Sequence, residues 1–228
     1  MIAARWGMLL VTALFTLAAF GAAATDLQPS ALRVLVMAVV GLLAPLFWPG
    51  IAATPARTAL RVVAWSTAAT GLAVIALQLL GNPAQPLSRI LGSCLMLMLI
   101  LLVTHTVAAG LEWRWRGRSG NAEDAREMAG RTVVISLAFL GSLPLWLGPV
   151  AELLSGRRAW IIDAAAAVSP LTHLAVASEN DLLRNQWFYA HSNLATLPVS
   201  YPDRADLAWS YAALTLVLAL AEIGRAHV

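Results

Sequence analysis

Lysine is absent from this 228-residue chain, cysteine occurs once, and charged residues make up only 12% of it. A soluble globular chain carries about 25% charged residues. That shortage excludes an ordinary cytosolic enzyme and a charge-rich disordered tail. The one cysteine, Cys94, excludes an internal disulfide framework. It sits inside an apolar run, so it says nothing about redox compartment. Also missing are a glycine-rich phosphate loop, a nucleophile elbow and a paired-cysteine metal motif. The sequence therefore points to no particular reaction or substrate, and it leans away from an enzyme.

What fills the chain instead is hydrocarbon. Apolar residues make up 60% of it and the mean hydropathy is +0.75. A bilayer core of roughly 30 Å needs about 20 apolar residues as a helix. The runs 7–24, 34–53, 62–80, 90–111 and 132–151 meet or approach that length, and 90–111 carries one ionisable residue, His105. A sixth run, 207–221, is short at about 22 Å, taking 1.5 Å per residue. Lipid offers the backbone no hydrogen-bond partners, and the runs lack two-residue alternation, so helices are expected rather than a barrel. The fold class read from this is an all-α polytopic bundle of about six transmembrane helices, a single membrane domain over 1–222.

All fifteen basic residues are arginine, and the net charge is +3. Together with abundant Ala and Leu, this composition fits a GC-rich, bacterial coding genome. The basic pI of about 9.7 is no nucleic-acid signature, because the arginines cluster at the ends of apolar runs. There they set topology. With the N-terminus inside, the inner segments hold Arg5, Arg57, Arg61, Arg114, Arg116, Arg118, Arg126 and Arg131. The two short outer loops hold Arg33 and Arg89. Arg157 and Arg158 run against the bias, but they belong to a long outer segment, 152–206, where the rule weakens. The expected location is a bacterial cytoplasmic membrane. Run 7–24 also fits a cleavable signal peptide ending at Ala22-Ala23-Ala24; an uncleaved first helix is favoured. The last six residues, Ile223-Gly224-Arg225-Ala226-His227-Val228, are what ATC GGA AGA GCA CAC GTC encodes. Those bases are a common sequencing-library adapter read in one frame. Residues 223–228 are therefore expected to be foreign, with the gene cut near Glu222.

Several side-chain groups are candidates for function. His105 and Cys94 share one face of the fourth run but lie about 16 Å apart along it, too far for a shared metal. A histidine inside a membrane is a functional candidate, as proton relay, haem ligand or substrate contact. Its alternative is a neutral side chain bonded to a neighbouring helix. The runs containing Pro45 and Pro144 each combine Gly, two Pro and Trp, and Pro breaks or kinks a helix. Interruptions at matching positions of inverted halves would mark a transporter-like site. The stretch 66–71, Ser-Thr-Ala-Ala-Thr-Gly, reads as a close-packing face.

On the inner side, Glu112-Trp113-Arg114-Trp115-Arg116 reads as an interfacial anchor. The inner loop 112–131 is expected to start a helix near Ala122, with Asn121 as N-cap and Glu127 and Arg131 paired at i,i+4. Arg126, Glu127 and Arg131 could dock a partner such as a cytoplasmic ATPase. On the outer side, Ser169-Pro170 starts a helix. Its continuation reads as an amphipathic helix on the outer membrane surface or dipping into it. His173, Glu179, Asp181 and His191 could supply ligands there, although their spacing matches no tight metal motif. The leading expectation is a transport-related, permease-like subunit, with the lipid bilayer and a cytoplasmic ATPase or other membrane subunits as partners and no nucleic acid. The alternatives are a membrane redox, metal or haem protein using these histidines, and a non-catalytic scaffold.

Overall fold

The computed structural model describes residues 29–79, 87–153, 158–179 and 200–225. Run 7–24, Asp181, His191 and the last residues of the tail lie outside them. Among the described residues every regular element is helical. The helices are α1 (Pro29–Leu43), α2 (Pro55–Leu79), α3 (Leu87–Ser119), α4 (Ala122–Leu153), α5 (Arg158–Val168), α6 (Pro170–Ala177) and α7 (Arg204–Arg225), with a 3-10 turn at Ala44–Phe47 after α1.

Three of these are long and apolar enough to cross a membrane: α2, α3 over Leu87–Arg118, and α7 over Arg204–Ala221. α1 and its turn form a shorter apolar helix. α2 buries the stripe Val62, Ser66, Ala69, Ala73 and Leu77, spaced by three and four. Its other faces expose Leu60, Leu72, Ile75 and Leu79. Residues three and four apart share one helix face, so a single stripe packs and the remaining apolar surface is left for lipid. α3 and α7 expose Leu87, Leu91, Leu95, Leu214, Leu216, Val217 and Leu220 in the same way. Apolar exposure on this scale marks a surface made for another phase.

The ends are set by local chemistry. Thr54 caps α2 by accepting the Arg57 N–H at 3.3 Å, with Pro55 at the first position. Asn121 caps α4 by accepting the Glu123 N–H at 3.0 Å, and Glu123 and Asp124 complement the positive helix start. Asp203 caps α7 through the Ala205 N–H at 2.7 Å.

Four expectations need correction. The second run stays α-helical only to Leu43, because Pro45 cannot donate and the chain turns out through Trp48. Gly130 of α4 permits this: a Cβ there would stand 2.7 Å from the Pro45 carbonyl oxygen. The segment 112–131 is not a loop, since α3 runs to Ser119 and α4 starts at Ala122. The fifth run is not broken, since α4 remains helical through Pro144 and Pro149. The two proline-containing runs thus differ, which removes the paired interruption behind the inverted-repeat reading. The sixth helix is longer than its apolar run: Asp203 starts it before the apolar stretch, and its membrane-length part covers Arg204–Ala221, about 27 Å at 1.5 Å per residue.

Of the two readings of the outer segment, a surface helix or one dipping into the membrane, α6 departs from the first. α5 and α6 meet at Ser169 with a bend of 78°. Ser169 and Pro170 occupy the cap and first positions as expected, but the Ser169 hydroxyl makes no capping bond. α6 is enclosed, with Thr172, His173, Leu174, Ala175 and Ala177 all buried, and Leu174, Ala175 and Ala177 belong to the core cluster of α1, α2 and α3. α3 and α4 are antiparallel neighbours of nearly equal length, 33 and 32 residues, joined by a two-residue turn. The C-terminal end of α4 therefore lies level with the N-terminal end of α3. The residue after α6, Glu179, pairs with Arg89 at that same end of α3. The α5–α6 pair is thus a sharply bent helix pair whose end returns to the N-terminal end of α3, an arrangement that fits a re-entrant hairpin.

Candidate functional site

At the end of the bundle where α3 meets α4, a chain of polar groups runs through the interior. Glu112 on α3 is fully enclosed. One carboxylate oxygen accepts the Trp48 indole N–H at 2.8 Å and the Ile51 amide at 2.9 Å. The other accepts Arg116, with Nη2 at 2.6 Å and Nε at 3.2 Å. A buried charge is tolerable when paired and saturated with donors, and Glu112 has both. Gly50, at φ +91°, lets the loop turn here; a Cβ would meet Arg126 Cδ at 3.1 Å and Glu112 Oε1 at 3.3 Å. Arg61 closes the loop from α2 by donating to the Gly50 and Ile51 carbonyls at 3.1 and 3.2 Å.

Trp48 links this carboxylate to His105. The two rings stack at 5.7 Å between centroids, 18° from parallel. His105 is completely buried, and its Nδ1 lies 2.9 Å from the Ser66 hydroxyl. Its Nε2 makes no hydrogen bond; its electrostatic contact with the Ala44 backbone falls short of hydrogen-bond geometry. The Ala44 carbonyl instead accepts the Trp65 indole at 3.2 Å, which satisfies an end carbonyl of α1. His105 is thus held by its neighbours on three elements and keeps one ring nitrogen unused.

Below Glu112 an open cleft of about 800 Å³ is lined by Ile51, Ala52, Ala53, Trp113, Arg114, Arg116, Gly117 and Arg118. The Trp–Arg stretch is therefore one wall of a basic recess, with Glu112 behind it. Arg126 and Glu123 pair at 3.7 Å on the first turns of α4, and Glu127 pairs with Arg131 at i,i+4. Arg126 leans over Gly50, while the Arg131 side chain is two-thirds exposed. The proposed docking residues do not form one uniform face.

At the opposite end, His173 is a joint. Its Nε2 donates to the Ala167 carbonyl at 2.9 Å, closing the end of α5. Its Nδ1 accepts the Tyr211 hydroxyl of α7 at 2.8 Å. A carbonyl only accepts, so Nε2 carries the proton and both nitrogens are used. That assigns His173 to holding the bend. Glu179 bridges Arg89 and Arg204, with Arg204 Nη2 at 2.6 Å. The Arg204 and then the Arg89 hydrogen bonds hold its carboxyl below the usual glutamate range. Gly92 lets α3 approach α6, with the Ala177 carbonyl 3.2 Å from where a Cβ would stand, and Ser93 and Ser178 hydroxyls meet at 3.0 Å.

The structure does not gather the sequence-predicted residues into one site. His105 and Pro45 belong to the inner network, where Pro45 is buried against α4. His173 and Glu179 belong to the outer joint, and Pro144 is buried in α4. Asp181 and His191 lie outside the described residues. Among the described residues no three His, Cys, Asp or Glu side chains converge as a metal site. Sequence reasoning missed Glu112, Trp48, Ser66 and Arg33 as buried polar groups. Only Ser66 carried a signal: it stands eleven residues before Leu77 on the small-residue stripe that faces α3. Compared with protein-family models, curated proteins and solved structures, the chain matches none of them.

Proposed function

We propose that the chain is a transport-related, permease-like protein of a bacterial cytoplasmic membrane, with its N-terminus and the α3–α4 turn inside. Protons are its coupling ion, relayed at His105 and Glu112. The observation that carries this reading is the re-entrant α5–α6 pair set in the middle of an apolar bundle whose interior also holds ionisable groups. Discontinuous helices of this kind line the sites of membrane transporters. Ionisable side chains are costly inside a bilayer, and where they occur they mark ion and proton paths. The arginine bias supports the orientation. Arg131, two-thirds exposed in its pair with Glu127, supports a docking role for the start of α4, with a cytoplasmic ATPase as the partner.

The test is proton uptake into vesicles containing the purified protein and a pH-sensitive dye, driven by an imposed membrane potential. Uptake above protein-free vesicles, falling back to that level in His105→Ala, is expected. Uptake equal to protein-free vesicles, or unchanged by His105→Ala, overturns the reading.

A further inference from the structure

Arg33 occupies the first turns of α1, at the end of the bundle that also holds Arg89, Glu179 and Arg204. Its side chain is completely enclosed, yet Nε, Nη1 and Nη2 all lack a hydrogen-bond partner. It neighbours Val34 and Met37, which are themselves fully buried in the core cluster. The charged or ionisable groups that act on it are the Cys94 thiol of α3 and Arg89, which has the same sign. The nearest carboxylate cluster offers nothing, because Glu179 already bridges Arg89 and Arg204. Asp203 caps α7.

An arginine cannot shed its charge, and its guanidinium presents parallel N–H donors matched to a carboxylate or phosphate. A fold that encloses such a group with no acceptor among the described residues is incomplete without an anion. The salt-bridged Arg89 keeps the surroundings positive without competing for the same acceptor. We propose that Arg33 is the base of an occluded oxyanion site between α1 and α3, taking the carboxylate or phosphate of a ligand or of a lipid headgroup. This inference concerns binding and holds whether or not the bundle transports.

Cys94 makes the site directly readable. It is the chain's single cysteine, half-buried, and within electrostatic range of Arg33. Full-length protein in zwitterionic lipid discs, with ionic strength held constant by chloride, is alkylated with N-ethylmaleimide while inorganic phosphate is titrated. A parallel series replaces phosphate with discs containing phosphatidylglycerol. Occupancy shields the thiol, so at ten times Kd the alkylation rate falls about tenfold. Protection by phosphate identifies a free anion, and protection by phosphatidylglycerol alone identifies a headgroup. In Arg33→Gln the protection disappears. In Arg33→Lys, which keeps the charge and loses the two-pronged donor set, it persists at weaker affinity. Should Arg33→Gln fail to fold, the weakened titration of Arg33→Lys carries the test. No protection by either anion in the natural sequence, or equal protection in the Arg33 variants, overturns the site.

Discussion

Glu112 shows what a single side chain does in this bundle. Three groups donate to it, and without it the buried Trp48 indole and the half-buried Ile51 amide would lose their acceptor. Glu112→Gln turns an amide NH2 toward donors and is expected to cost about 2 kcal/mol, and Glu112→Ala about 3–4 kcal/mol, in thermal unfolding of the detergent-solubilised protein. Equal stability of both variants with the natural sequence would remove Glu112 from the inner network. Glu179 behaves differently because it is partly exposed. Its carboxyl is lowered by Arg204 and Arg89, so the contact contributes fully above the ordinary value of 4.5 and is lost as pH falls through the lowered value. The melting temperature should therefore drop on acidification below about pH 5, and Glu179→Gln should flatten that part of the profile. At this scale the sequence exposed little. His105 stood out because a titratable group in an apolar run is visible on its own. Glu112 did not, because a charge at the end of such a run looks like a boundary, and its donors Trp48 and Ile51 are about sixty residues away. Arg33 looked like a topology marker for the same reason.

The elements were more legible where a local signal decides them. The cap at Asn121 and the helix start at Ser169-Pro170 are short-range chemistry, and apolar length alone gave α2 and α3. Pro144 was misjudged because the effect of a proline depends on what takes up the freed carbonyls. At Pro45 the Trp65 indole takes the Ala44 carbonyl and the Trp48 amide the Pro45 carbonyl, and with the close approach of α4 they support an ended helix. α6 left two readings open because a short helix of small and apolar residues next to polar ones has the same pattern at a membrane surface as inside a bundle. Only the neighbours α1, α3 and α7 distinguish the two. The contact between α4 and the turn after α1 gives a measurable consequence. Gly130→Ala places a Cβ 2.7 Å from the Pro45 carbonyl and should destabilise by about 1–3 kcal/mol. Gly71→Ala, on α2, meets nothing within 4 Å and should be stabilising by about 0.5–1 kcal/mol. Thermal unfolding of the two variants side by side checks the pair.

For the whole molecule, the apolar surface of α2, α3 and α7 calls for a bilayer, and the level of the helix ends determines which loops share a side. The central claim is that α5 and α6 dip into the bundle and return. Its most direct test places single cysteines at Glu123, Arg158 and Ser200 in a Cys94→Ser background and labels intact cells with a membrane-impermeant maleimide. The account predicts that Arg158→Cys and Ser200→Cys react from outside, while Glu123→Cys reacts only after the membrane is permeabilised. Labelling of Arg158→Cys and Ser200→Cys from opposite sides, or of all three from the same side, would contradict it.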